Sequence, residues 1–191
     1  MSAPRVVLGV SGASGAALAL AVAGQLAAIG AETDLVVSPA AERTLPEECG
    51  AGALARLTEA VSRSHPIRDM GAPIASGSTP VAGMIVAPCS MRSLAAIALG
   101  LDDNLLIRAA GVQLKERRPL VLLTREAPLT LAHLRNMTAA TEMGAIVLPP
   151  VPAFYLRPDS LDAAVAQIAA RAVDLLRLAP PVARSWQPRG N

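Results

Sequence analysis

The residues of this chain best suited to chemistry lie in short polar turns that follow apolar runs. The first turn is Ser11-Gly12-Ala13-Ser14-Gly15. Small residues there let successive backbone N–H groups approach an anion, and a helix beginning at the turn adds a favourable dipole. The spacing is neither the dinucleotide fingerprint nor a P-loop, because no Gly-Lys-Ser/Thr follows. Ser14 is the expected ligand contact, although the same residues also suit a tight turn with a serine cap. A second turn, Pro88-Cys89-Ser90-Met91-Arg92-Ser93, repeats the pattern and doubles as an ordinary helix cap at Ser90. Between Arg108 and Glu126, five cations (Arg108, Lys115, Arg117, Arg118, Arg125) face two anions (Glu116, Glu126), a net +3 in a chain whose total is +2. Lys115 is the sole lysine of the chain. A compact ammonium suits a phosphate as a point charge, but Lys115, Arg117 and Arg118 equally suit a solvated helix end. Arg125-Glu126 follows a buried run, where a ligand contact or a loop ion pair both fit. Finally, Pro149 to Tyr155 is a proline-set loop presenting the only Phe and only Tyr, and the only Trp, Trp186, sits in a proline-rich tail. Such a Trp is costly unless it docks on a neighbouring subunit or caps a site.

Composition removes several alternatives. A charge of +2 from 17 basic and 15 acidic residues gives no wholesale attraction to nucleic acid or membrane. With 2% aromatic residues the chain has no stacking platform for single-stranded nucleic acid. Cys49 and Cys89 make no disulfide framework, which points to a reducing cytoplasm, and Cys89 reads as a buried structural thiol. His65 and His133 have no metal-ligand spacing and no Ser-His-Asp pattern to join, so no metal site is expected. Residues 16–31 resemble a signal-peptide core, but the run is Ala- and Gly-rich, is interrupted by Gln25 and follows a strand-like segment. A buried helix is the expectation.

These turns must be positioned by regular elements. Apolar β-branched runs at 5–10, 32–37, 83–87, 119–123 and 145–148 read as strands. Helical stretches lie between them at 15–29, 39–62 (broken near Pro46 and Gly50), 90–99, 102–115, 129–143 and 159–178. Continuous rather than alternating hydrophobicity means both sheet faces are covered, as in a parallel sheet between helices. The expected fold is a single doubly wound α/β domain over 1–178, followed by an extended arm at 179–191 containing Pro180, Pro181 and Pro188. In such a sheet the ligand lies beyond the carboxyl ends of the strands, where the order reverses. The turns at 11–15 and 88–93 would then face one another across a mononucleotide-sized crevice.

The sequence resembles the UbiX-type flavin prenyltransferases, relatives of the wider flavoprotein group that includes cysteine decarboxylases. The likeness is carried by VSGASGA at 10–16, PCSMRSL at 88–94, LLIRAAGVQLKERRPLVLLTREAPL at 105–129, HLRNM at 133–137 and GAIVLPPVPAFYLRP at 144–158. It implies a flavodoxin- or Rossmann-like subunit in a homododecamer with sites at subunit interfaces. It also implies transfer of a dimethylallyl group from dimethylallyl monophosphate to N5 and C6 of reduced FMN, without a metal, giving prenylated FMN for a UbiD-type decarboxylase. By the same resemblance Gly12, Ala13, Ser14, Ser38, Ser90, Met91, Arg92 and Ser93 would hold FMN, with Arg125 beside it. Ser14, Arg108, Lys115, Tyr155 and Arg171 would gather round the prenyl phosphate. Glu48 and Glu126 match two active-site glutamates, with Glu47 adjacent to the first, and Trp186 matches a tryptophan that closes over the prenyl group. Burial of Glu126 would suit it to protonate the departing phosphate. The pattern departs at Ser38-Pro39-Ala40, at Glu48-Cys49-Gly50 and over 51–73. An FMN-dependent decarboxylase of a small acid or cysteine-type substrate, and a non-catalytic FMN carrier, are the alternatives.

Overall fold

The computed structural model describes residues 3–187; Pro188 of the expected arm lies outside the described residues. Strands β1 (Arg5–Val10), β2 (Glu32–Val37), β3 (Arg63–His65), β4 (Gly83–Cys89), β5 (Leu120–Thr124) and β6 (Ile146–Val147) form one sheet in the order β3-β2-β1-β4-β5-β6. Every pairing is parallel. The order reverses between β1 and β4, so the crevice opens at the carboxyl ends of these two strands. Helices α1 (Ala16–Ala28), α2 (Pro39–Cys49), α3 (Ala53–Glu59), α4 (Met91–Leu99), α5 (Leu105–Lys115), α6 (Leu131–Glu142) and α7 (Leu161–Asp174) cover both faces.

Alternation along β1 explains the two cores. Val6, Leu8 and Val10 point to one face and pack with α1, α2, α3 and α7 residues such as Leu26, Leu45, Leu57 and Val173. Val7 points to the other, with Leu94, Ile107, Ala110 and Ala140 of α4, α5 and α6. The apolar run at 16–31 is α1, buried between sheet and α7 through small side chains such as Ala19 and Ala23. No helix among the described residues is long and apolar enough to cross a membrane.

The fold differs from expectation in three places. Pro46 stays inside α2, and the break falls at Gly50, whose φ of 86° few other residues adopt. Residues 63–65, just past the helical stretch expected at 39–62 and assigned to no element, form the edge strand β3. The tail does not leave the globule but folds back along α7 through residues 182–184.

A charged cluster joins β1, β2 and β3. The Asp34 side chain is fully buried; Arg5 grips it with Nε at 2.5 Å and Nη2 at 2.9 Å, and His65 Nε2 lies 2.6 Å away. Burial alone would raise the Asp34 carboxyl, but hydrogen bonds from Arg5 and His65 outweigh it and hold the group below the usual carboxylate range.

Candidate active site

The crevice between β1 and β4 is organised by Ser11. Its buried hydroxyl donates to Pro88 O at 2.9 Å and accepts the Ser90 N–H at 2.7 Å, tying the two polar turns together. Beyond it, Gly12 packs so closely on α2 that a Cβ would fall 2.2 Å from the Ala40 Cβ. Ser38 caps α2 by accepting the Ala41 N–H, and Ser90 caps α4 by accepting the Ser93 N–H. Arg125 follows β5 and is anchored by its own N–H on Cys89 O at 3.1 Å. Gly12, Ala13, Ser14, Ser38, Ser90 and Arg125 therefore meet at one end of the sheet. Met91 and the buried Ser93 continue this edge into α4, while Arg92 turns away to pair with Asp103.

The anion expected at the start of α1 is part of the chain itself. Glu48 Oε2 accepts the Gly15 N–H at 2.8 Å and the Ala16 N–H at 2.7 Å. Partial burial works to raise this carboxyl, yet the Ala16 and Gly15 amides, the Ser14 hydroxyl and the Arg125 charge together lower it. Of the adjacent glutamates, Glu48 thus turns onto α1, whereas Glu47 lines a hollow with Gly12, Ala40 and Arg43. A lowered folded value means that Glu48 stabilises the chain fully above the ordinary carboxylate range and loses that effect as pH falls through the folded value. Glu48→Gln should therefore lower the melting temperature at pH 7, with the difference from the parent vanishing in acid; thermal melts between pH 3 and 8 check this.

A second group forms on the α7 side. Tyr155 and Arg171 line a groove of about 470 Å³ together with Ile168 and arm residues Ala183 and Arg184. Trp186 and Tyr155 border an adjoining hollow. Both aromatic rings are more than half exposed.

The third group stands on α5. Residues 67–79 run as a strap along this helix: Leu105 N–H donates to Ile67 O at 2.8 Å, Arg108 Nε to Ala75 O at 3.0 Å and Arg118 Nη2 to Gly77 O at 2.8 Å. Arg108 also pairs with Asp102 at 2.8 Å. Lys115 pairs with Glu116 beside Gly77, where a side chain would collide with the pair. Within one chain, α5 and α7 lie on opposite faces of the sheet, so Lys115 and Arg171 do not meet. Glu126 is exposed and, among the described residues, accepts only the Ala127 N–H at 3.1 Å, so the burial expected of it is missing within a single chain. Cys89 is wholly buried and its thiol is pushed up to about 12 by that burial, which leaves it unreactive.

Sequence reasoning passed over Ser11, Gln167 and Asp174. Ser11 lay inside the first motif, and its position directly after a buried strand was the available signal. Gln167 and Asp174 gave none, because polar residues at helical spacing look like a solvated face.

Comparison with known proteins fits this geometry. The flavoprotein family model matches residues 1–174. The flavin prenyltransferase UbiX of Thauera aromatica is 50% identical over 182 residues, which cover 95% of this chain and 93% of that protein. The chain belongs to the UbiX-type flavin prenyltransferases. A crystal structure of AnUbiX (PadA1) in complex with FMN and dimethylallyl pyrophosphate superposes with a TM-score of 0.94 at 41% identity, covering 99% of this chain and all of that one. A dodecameric FMN-dependent UbiX-like decarboxylase from Escherichia coli O157:H7 gives 0.91 at 42% identity, over 96% of this chain and 100% of that chain. A flavin prenyltransferase must cradle a flavin mononucleotide, and the donor set here suits one: neutral hydroxyls from Ser14, Ser38 and Ser90, a close-packed Gly12, and one guanidinium. Among the described residues no group of three or more His, Cys, Asp or Glu side chains is placed to hold a metal ion.

Proposed function

We propose that this flavin prenyltransferase joins the dimethylallyl group of dimethylallyl monophosphate to N5 and C6 of reduced FMN. The prenylated FMN would serve a UbiD-type decarboxylase in the cytoplasm. The observation that carries this reading is the Tyr155–Arg171 groove: a hydroxyl and a guanidinium suited to a phosphate, lined in part by the arm and apart from the residues of the serine-rich crevice. A decarboxylase or a carrier of FMN has no need for a second phosphate site.

Bound FMN supplies the nucleophilic flavin atoms; the chain does the rest. Monophosphate is a poor leaving group, and without a metal its growing charge needs fixed cations and donors. Lys115, Arg108, Arg171 and the Tyr155 hydroxyl fill that role, each worth ~3 kcal/mol in the transition state when preorganised. Glu126, once covered by a neighbouring copy, would protonate the departing phosphate. The Trp186 face would attract the positive charge left on the allylic carbon, and the arm over residues 179–191 would keep water from it.

Because α5 and α7 lie on opposite faces, a complete site requires α5 of one copy beside the Tyr155 groove of another, in a homododecamer. Exposed apolar side chains at Leu99, Leu101, Leu131 and Phe154 support this reading, since such surface is costly unless neighbours cover it.

Anaerobic incubation of the purified protein with reduced FMN and dimethylallyl monophosphate, followed by mass spectrometry, tests the reaction. FMN heavier by one C5 unit is the expected product. Unmodified FMN would return the chain to the decarboxylase or carrier alternatives.

A further inference from the structure

Gln167, Arg171 and Asp174 are spaced along one face of α7, and the outer two grip the arm by its backbone. Gln167 Nε2 donates to Arg184 O at 3.0 Å while its Oε1 accepts the Arg184 N–H at 3.1 Å. The Asp174 carboxylate accepts two consecutive amides, Val182 N–H at 2.9 Å on one oxygen and Ala183 N–H at 3.0 Å on the other. Two side chains thus do for the arm what a neighbouring strand would do in a sheet. An extended segment with Pro180 and Pro181 behind it has few other ways to satisfy these groups. Arg171 lies between the two clamps, under the arm, and the chain continues from Arg184 to Trp186, which borders a hollow with Tyr155.

We infer that Gln167 and Asp174 are positioning residues for prenyl transfer: they fix the arm in register on α7 so that Trp186 stands beside Tyr155, above Arg171. The catalytic part of this inference rests on the proposed reaction; the clamp itself does not. Neither side chain needs to touch the substrate. Their effect passes through the arm, whose docking excludes water from the allylic carbon. With the arm released, water oxygen would bond to that carbon as its bond to the phosphate oxygen breaks. The result is the free alcohol and inorganic phosphate, with the flavin unaltered.

The test uses the full-length assembled protein with Gln167→Leu, Gln167→Glu and Asp174→Asn. Losing both Gln167 bonds shifts the ratio of docked to released arm by about 30-fold. A protease must take up the extended backbone around its target bond, and in the parent the Arg184 amide and carbonyl are occupied. Trypsin should therefore cut after Arg184 faster in Gln167→Leu and Asp174→Asn. Acrylamide should quench the emission of Trp186, the sole tryptophan, more strongly. Gln167→Glu keeps the acceptor but not the donor and should fall between. In turnover, kcat for FMN alkylation should drop about 10- to 100-fold with the KM for FMN unchanged, and phosphate released per flavin alkylated should rise above one. Parent-like cleavage and quenching in both Gln167→Leu and Asp174→Asn would overturn the clamp. Faster cleavage with unchanged kcat and coupling would overturn the positioning role. If the parent itself fails to alkylate FMN, the protease and quenching results still decide the clamp, and the failure belongs to the proposed reaction.

Discussion

Mixed oligomers built from Lys115→Ala and Arg171→Ala subunits should regain about a quarter of parental activity, although each variant alone should lose about 10²-fold. The expectation follows from the layers of the fold. Lys115 ends α5, whose Ala109 and Ala110 belong to the core on one face of the sheet. Arg171 is on α7, whose Ala169 and Ala172 belong to the core on the other. A short phosphate cannot touch both in one chain, so under the proposed site the pair would come from different copies. If so, random mixing leaves some sites with an intact Lys115 from one subunit and an intact Arg171 from another. Co-expression under two tags, purification of the doubly tagged species and assay of FMN alkylation measure the recovery. Activity no greater than that of the separate variants would assign both residues to a single subunit's site, or neither to any.

A second large effect is expected far from the crevice. Asp34→Asn should destabilise the chain by about 3–5 kcal/mol, because it leaves the Arg5 guanidinium facing a buried position without its counter-charge. For a domain of this size that is a loss of about 10 °C in melting temperature. The same carboxylate gives stability a pH dependence. Its folded value is lowered by Arg5 and His65 against the pull of burial, so its contribution is complete above the ordinary carboxylate range and disappears as pH falls through the folded value. Melting of Asp34→Asn and the parent from pH 7 down to pH 3 should therefore show curves that converge in acid. A gap that stays constant with pH would mean that packing, rather than charge, holds the three strands at this point.

Both predictions depend on neighbours that the sequence conceals to different degrees. β1, β4 and β5 were legible because strands covered on both faces read as nearly unbroken apolar runs, and β2 through the Leu35-Val36-Val37 half of Glu32–Val37. β3 was not: Arg63-Ser64-His65 is polar, and it is a strand because its backbone pairs with β2 while Arg63 and His65 reach Glu32 and Asp34. Pro46 suggested a break because proline removes a helix donor, yet α2 carries on around it to Gly50. At the site, the turns at 11–15 and 88–93 could be placed opposite each other from the strand–turn–helix pattern alone. That Glu48 would fill the α1 amides could not, since it lies 33 residues from Gly15 and reaches it only after α2 folds back. Nor does spacing along a chain reveal that Lys115 and Arg171 fall on opposite faces; that depends on which way each crossover turns.

The grip of α7 on main-chain atoms of residues 182–184 bears on how this tail can diverge between descendants. Replacing Val182, Ala183 or Arg184 by anything but proline leaves every gripped amide and carbonyl in place, so their identities are otherwise free to drift. Inserting or deleting a single residue there is different. It slides the following chain by about 3.3 Å and turns Trp186 to the opposite side. Homologous tails should accordingly vary in composition yet hold their length.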